Sequence, residues 1–242
     1  MTYVLAGEED CVRQGIPKRH PVMHVTERRT ASDKIWNIYA KEKSEMAAGG
    51  HKLARIYIAL VDTPGIFAFF IRRFLRQKYI HVVLALDEEL EEAYSVGRRN
   101  PMIPILSGFE KEDKRKILQV FPSADYMVCE VECTMQQKEQ IRERLLQDME
   151  QRYRYHYAVL GLPFILFGKP FYQKNHYTCS SYIARLLSET GIQISKKHFS
   201  LVTPKDFYEY EDKRVVFEGG LDELVNTDAM WRARKPEAVY EY

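Results

Sequence analysis

Residues 176–191 read HYTCSSYIARLLSETG. Thr178 offers a side-chain oxygen of the kind that caps a helix N-terminus. Tyr182, Ile183, Leu186 and Leu187 recur at helical spacing, and Gly191 supplies a stop. The stretch therefore predicts an amphipathic helix with Cys179 just inside its start. Unpaired backbone N–H groups and the helix dipole favour an anion at that place. A thiolate, not a thiol, is the nucleophilic form of cysteine. Cys179 is thus a candidate nucleophile, with a small side chain packed at a helix start as the competing reading.

On the N-terminal side lie segments of strand character. ARIYIALVD (54–62) ends at Thr63-Pro64-Gly65. YIHVVLAL (79–86) is nearly all apolar, as in a strand buried on both faces. DEEL (87–90) reads as a turn, EEAYSVG (91–97) as its partner strand and ADYMVCEVEC (124–133) as a further strand. Between the first two, GIFAFFIRRFLRQ (65–77) reads as a short helix with Arg72, Arg73 and Arg76 on one side. Contact of its phenylalanines with lipid is weighed against a core helix with a solvated rim, which is preferred.

Thr134 and Gln137 have capping-box spacing, and Ile141, Leu145, Leu146 and Met149 form a stripe. Tyr157 to Phe167 is apolar and aromatic, ending near Gly168 and Pro170. After residue 191, LVTPKDFYEY and KRVVFEGGL read as short strands or loops. Strands followed by helices and more strand predict an α+β fold. Residues 1–50 are more polar, hold one helix-like stretch from Ser32 to Ala48, and read as an extension or accessory segment preceding a domain over 51–242.

Bulk properties narrow the function. The 242-residue chain is 45% hydrophobic and 29% charged, with net charge +2. So small an excess gives no footprint for nucleic acid. No apolar run approaches the ~18–20 residues needed to span a bilayer. Acidic residues stand where a signal peptide would have its apolar core, so a cytoplasmic location is expected. Cys11, Cys129, Cys133 and Cys179 are then expected as thiols. CEVEC (129–133) has no second pair to complete a zinc site and reads as structural.

His81 opens the most apolar strand, where an imidazole without a partner would be costly. A satisfied core histidine competes with a catalytic one. His156 and His176 have aromatic neighbours and stay open as site-lining residues. His20, His24 and His51 lie in or beside the polar segment, and His198 follows a Lys pair.

Four segments in order, YIHVVLALDEELEEAYSVGRR, PILSGFEKED, HYTCSSYIARLL and TPKDFYEYEDKRVVFEGGLDEL, resemble the circularly permuted NlpC-type papain-like family, YiiX-like branch. Papain-like enzymes ordinarily place Cys before His. Here His81 precedes Cys179, the permuted order. The resemblance covers roughly residues 53 to 225 and implies a papain-like α+β fold with an antiparallel, partly barrelled sheet. It implies Cys179 as nucleophile, His81 as general base and a third residue that orients the imidazole. Relatives often carry Glu-Ala on the second strand, which maps to Glu92-Ala93.

A two- or four-residue loop would put Glu92, Tyr94 and Val96 on His81's face, and a three-residue loop Ala93 and Ser95. Glu92 is the expected third member, with Tyr94 and Ser95 as alternatives and a solvated charge in DEELEE as the competing reading. Glu110 and Glu112 are weighed as cleft residues against a solvated loop, and the loop is preferred. The expected activity is thiol hydrolysis of an amide in a peptide-like or amino-acid substrate, with no metal or organic cofactor required. A lipid acyltransferase or phospholipase of the lecithin:retinol acyltransferase type, and a non-catalytic binding module, are the alternatives. The partners expected are a small peptide, amino-acid amide or acyl substrate, with neither nucleic acid nor an integral membrane segment.

Overall fold

The computed structural model describes residues 52–234, apart from 66, 67, 70, 71, 74, 75, 101 and 102. The extension expected over 1–50, its Ser32–Ala48 helix, Cys11, His20, His24 and His51 lie outside the described residues, as does much of the 65–77 stretch.

A six-stranded antiparallel sheet organises the rest. Its strands are β1 (Leu53–Asp62), β2 (His81–Ala85), β3 (Ala93–Asn100), β4 (Ile103–Glu112), β5 (Asp125–Thr134) and β8 (Arg214–Gly220). They lie in the order β4-β3-β2-β1-β5-β8. The sheet is open, with β4 and β8 at its edges, and does not close into the partial barrel expected. Two-residue strands β6 (His156–Tyr157) and β7 (His176–Tyr177) form a separate parallel pair.

Why β1 is central follows from its sequence. Residues 56–61, IYIALV, are buried on both faces, so β1 must have a neighbour on each side and cover above and below. It pairs with β2 from Tyr57↔Ala85 to Val61↔His81 and with β5 along its whole length. Ile56, Ile58 and Leu60 share one face with Val82, Leu84, Cys129 and Val131. That face is covered by α2 (Met135–Glu150) through Ile141 and Leu145, and by α4 (Cys179–Glu189) through Tyr182, Ile183, Leu186 and Leu187. Tyr57, Ala59, Val61, Val83 and Ala85 form the other face. Leu221 and Leu224 of α6 (Leu221–Arg234) and, partly buried, Ile117 and Leu118 of α1 (Lys114–Val120) pack there.

Local chemistry sets the helix ends. Thr134 and Gln137 form the capping box of α2, and Thr178 and Ser181 that of α4. At the end of α4, Gly191 has φ +84°. The Ile192 N–H donates to Leu187 O and that of Gly191 to Ser188 O, a Schellman stop closed by buried Ile192. Two short helices, α3 (Leu162–Leu166) and α5 (Pro204–Tyr208), and three single 3-10 turns, Arg152–Arg154, Val159–Gly161 and Phe199–Leu201, complete the described elements.

One sequence expectation changes. SGFEKED, read as a solvated loop, is the C-terminal half of β4 running into the N-cap of α1. Asn100 of β3 is opposite Ile103 of β4, and the ladder Ala93↔Glu112 to Gly97↔Gly108 lies beyond that pair. In the apolar run 157–167, Tyr157 packs against the core while Val159, Leu160, Phe164, Leu166 and Phe167 are exposed.

Candidate active site

His81 is the first residue of β2, and three strands contribute to its surroundings. Leu86 N–H donates to Glu92 O, so the β2–β3 turn spans the five residues 87–91. Asp87 holds this turn by accepting from the N–H groups of Glu91 and Glu92 at 2.7 and 2.6 Å. An odd-length turn places odd-numbered β3 residues on His81's face. With Ala85 opposite Ala93, Ser95 faces the ring and Gly97 falls opposite His81. β4 continues the pattern, with Glu112 opposite Ala93 and Glu110 opposite Ser95.

The side chains converge accordingly. The His81 Nε2–H donates to Glu112 Oε1 at 2.6 Å. Ser95 Oγ, fully buried, donates to the same carboxylate oxygen and lies 3.2 Å from Nε2. With Nε2 committed to Glu112, Nδ1 is the nitrogen left for a reacting partner. Gly97 keeps the space open: a β carbon there would meet Ser95 Oγ at 3.1 Å, His81 Cε1 at 3.3 Å and Glu112 Oε1 at 3.4 Å.

Cys179 is the ring's other neighbour. It is the first residue of α4, only 4% exposed. Three hydroxyls pin its helix turn. Thr178 Oγ1 accepts from Ser181 N at 3.1 Å, Ser181 Oγ accepts from Thr178 N at 2.8 Å, and Ser180 Oγ donates to Val202 O at 2.7 Å. Burial opposes a charged His81 ring, but the charges of Glu112 and Cys179 and side-chain hydrogen bonds to both outweigh it. The imidazole is pushed up to about 10. The ring is therefore a cation at neutral pH, between a carboxylate on one side and a sulfur on the other.

Of the third-member candidates, Ser95 is in the site, while Glu92 and Tyr94 are not. Glu92 is exposed, and its carboxylate pairs with Arg142 of α2 at 3.7 Å, across the sheet from His81's face. The expectation for Glu92 is corrected by turn length: five residues, not two or four, invert the parity. Tyr94 stacks on Phe109 in the α4-side core. The position expected for Glu92 is held by Glu112. Its signal was present in the sequence, since Asn100-Pro101 marks a hairpin whose return strand carries Glu110 and Glu112 at alternate positions. Glu110 lies on the same face and pairs with Arg152 at 3.1 Å.

Among the described residues, the other thiols and histidines are held by other elements. Cys129 and Cys133 are buried in β5 as free thiols, and burial pushes both up, Cys129 to about 11. His156 and His176 face each other at the β6–β7 pair, ring centroids 5.0 Å apart, and His198 caps a short turn through Ser200. Among the described residues no helix is long and apolar enough to cross a membrane. No protein-family model matches the chain, and neither a curated protein nor a solved structure matches it.

Proposed function

We propose that this chain is a cysteine hydrolase of the permuted papain-like kind, with Cys179 as nucleophile, His81 as acid–base and Glu112 as the residue that orients the imidazole. The observation that carries the reading is the His81 ring, engaged through Nε2 by a partly buried carboxylate at 2.6 Å and bordered by a cysteine at a helix start.

The chemistry follows from that arrangement. A Cys179 thiolate paired with imidazolium attacks the carbonyl carbon of an amide. The carbonyl π electrons move to oxygen and a tetrahedral intermediate forms. The capping box engages the N–H groups of Thr178 and Ser181, so those of Cys179 and Ser180 are the first-turn donors that face the oxyanion. His81 then delivers its proton to the leaving nitrogen, the C–N bond breaks and a thioacyl enzyme remains. Neutral His81 takes a proton from water, hydroxide attacks the thioester and the acid leaves, restoring the ion pair. Glu112 keeps Nε2 protonated throughout, which fixes Nδ1 as the proton-transfer atom.

A panel of aminoacyl and peptidyl fluorogenic amides, run beside fatty-acyl esters, tests the reading. Turnover of an amide with a trapped acyl adduct on Cys179, lost in Cys179→Ala and His81→Ala, is the expected result. Turnover that survives in folded Cys179→Ala removes the proposal. Activity on fatty-acyl esters alone moves the substrate to the acyl-transfer alternative.

A further inference from the structure

Between β6 and β7 the chain makes an excursion that the catalytic reading does not use. Val159, Leu160, Phe164, Leu166, Phe167 and Tyr172 are all exposed large apolar residues within one short stretch, Leu160 at 67% and Phe167 at 75%. Nearly half of the large apolar side chains exposed among the described residues fall here, whereas isolated exposed residues would be scattered.

The excursion is a built ledge. Its two ends are paired in register, His156↔His176 and Tyr157↔Tyr177. Phe164 stacks on Phe171 with ring centroids 4.5 Å apart, and the Phe171 N–H donates to Ser200 Oγ at 3.2 Å. Gly161 is buried at the base. The apolar tips are thus held outward by ordered packing beneath them.

Charge identifies what fits the ledge. From Gln151 to Ser188 the sequence holds five Lys or Arg and no Asp or Glu. The other 31 basic residues of the chain are outnumbered by its 34 acidic ones, so this segment is basic within an otherwise acidic protein. Arg154, Lys169 and Lys174 of this segment are exposed. Arg152 and Arg185 pair with Glu110 and Glu189, but bulky apolar side chains in a segment with exposed cations and no carboxylate of its own match the interface of an anionic bilayer. The apolar tips enter the headgroup–acyl boundary and the cations pair with lipid phosphates. A second copy of the same ledge would bring like charges together.

We propose that the 158–175 ledge docks this protein on the surface of anionic membranes. β7 runs from the ledge to Tyr177, two residues before Cys179, so the ledge is joined directly to the start of α4.

The docking is independent of the chemistry, and its test uses full-length Cys179→Ala protein. Co-sedimentation is measured with vesicles of phosphatidylcholine alone and of phosphatidylcholine mixed with phosphatidylglycerol. The expected result is binding to the mixed vesicles that weakens as salt is raised. Leu160→Asp/Phe167→Asp and Lys169→Glu/Lys174→Glu each weaken it by roughly tenfold or more. These side chains are exposed, and an unchanged thermal melt verifies folding in each variant. No binding to the mixed vesicles overturns the proposal, as does binding that both folded variants retain. Sedimentation velocity showing a dimer that Leu160→Asp/Phe167→Asp dissolves, without vesicle binding, assigns the ledge to a second copy instead. Failure of the amide panel with intact vesicle binding would remove the catalytic reading and leave this one standing.

Discussion

The site hangs on a few atoms around one imidazole. Glu112 is the largest upward influence on His81, so Glu112→Gln is expected to lower kcat/KM by a factor on the order of 10² to 10⁴. Glu92→Gln, which disturbs only an exposed pair with Arg142, should stay within about twofold of wild type. Equal losses in the two variants would remove Glu112 from its assigned role. The pH profile adds a separate readout. His81 is raised to about 10, and in the proposed mechanism the protonated ring donates to the leaving group, so activity is expected to persist below that pH and to be lost as pH rises through it. Glu112→Gln removes the charge that holds the ring protonated, and the alkaline limb must move to lower pH. A limb that stays in place would mean another group sets it. Gly97→Ala gives a steric test. Its β carbon crowds Ser95, His81 and Glu112 together, so activity should fall in a protein destabilised by only ~1–3 kcal/mol.

Single elements carry the next level of order. Helix α4 begins at Cys179 because Thr178 caps it, and Thr178→Ala should cost about 1 kcal/mol in urea denaturation, with Thr178→Ser recovering it. Farther along, α4 is tied to α2 by a buried carboxylate. Asp148 accepts from Tyr182 Oη at 2.8 Å, Tyr155 Oη at 2.6 Å and Arg144 Nε at 3.1 Å. Asp148→Ala leaves two buried hydroxyls without their acceptor and should destabilise by ~3–5 kcal/mol. Tyr182→Phe removes one hydroxyl and should cost about 1 kcal/mol. A smaller loss in Asp148→Ala than in Tyr182→Phe would show that the network does not bear on the helix pair. Thiol labelling distinguishes the elements as well. Cys129 and Cys133 are buried in β5 and pushed up by that burial, so a short iodoacetamide pulse near neutral pH should mark Cys179 ahead of both in the folded protein. Labelling of a β5 cysteine first, read by peptide mass spectrometry, would contradict the site.

For the whole molecule, alkaline pH is the revealing variable. Burial raises Tyr126, Tyr155, Tyr177 and Tyr182 above the ordinary phenol value and Cys129 to about 11. Each holds its proton in the folded state at a pH where the unfolded chain has released it. The stability they contribute is fully present below the unfolded values and is lost as pH rises through the folded ones. For Cys129 the window opens at 9.0 and closes at about 11. Urea midpoints should therefore fall from about pH 9 upward, and phenolate absorbance should lag behind the same titration in denaturant. Midpoints that stay level to pH 11 would show that these groups titrate alike in both states.

How much of this was legible beforehand differs from one residue to the next. Periodicity and capping chemistry are local, and they sufficed for β1, β2, α2 and α4, for Thr178 as the cap and for the place of Cys179 within the first turn. The order His81 before Cys179 is likewise a property of the chain alone. The carboxylate beside His81 was legible only in part: Asn100-Pro101 points to a return strand with Glu110 and Glu112 at alternate positions, but which carboxylate reaches the ring depends on parity. One residue more or less in the 87–91 turn exchanges the two faces of β3, and β4 inherits the choice. Glu92 and Glu112 both sit in acidic stretches, and nothing local separates them. Likewise, the apolar run 157–167 has a composition fit for a core, and only the pairing of His156 with His176 shows that it is held outside. Sequence determined which elements form, through interactions spanning a few residues. Tertiary structure decided which carboxylate reaches His81 and which apolar surface meets solvent, because strand register and packing join residues far apart in the chain.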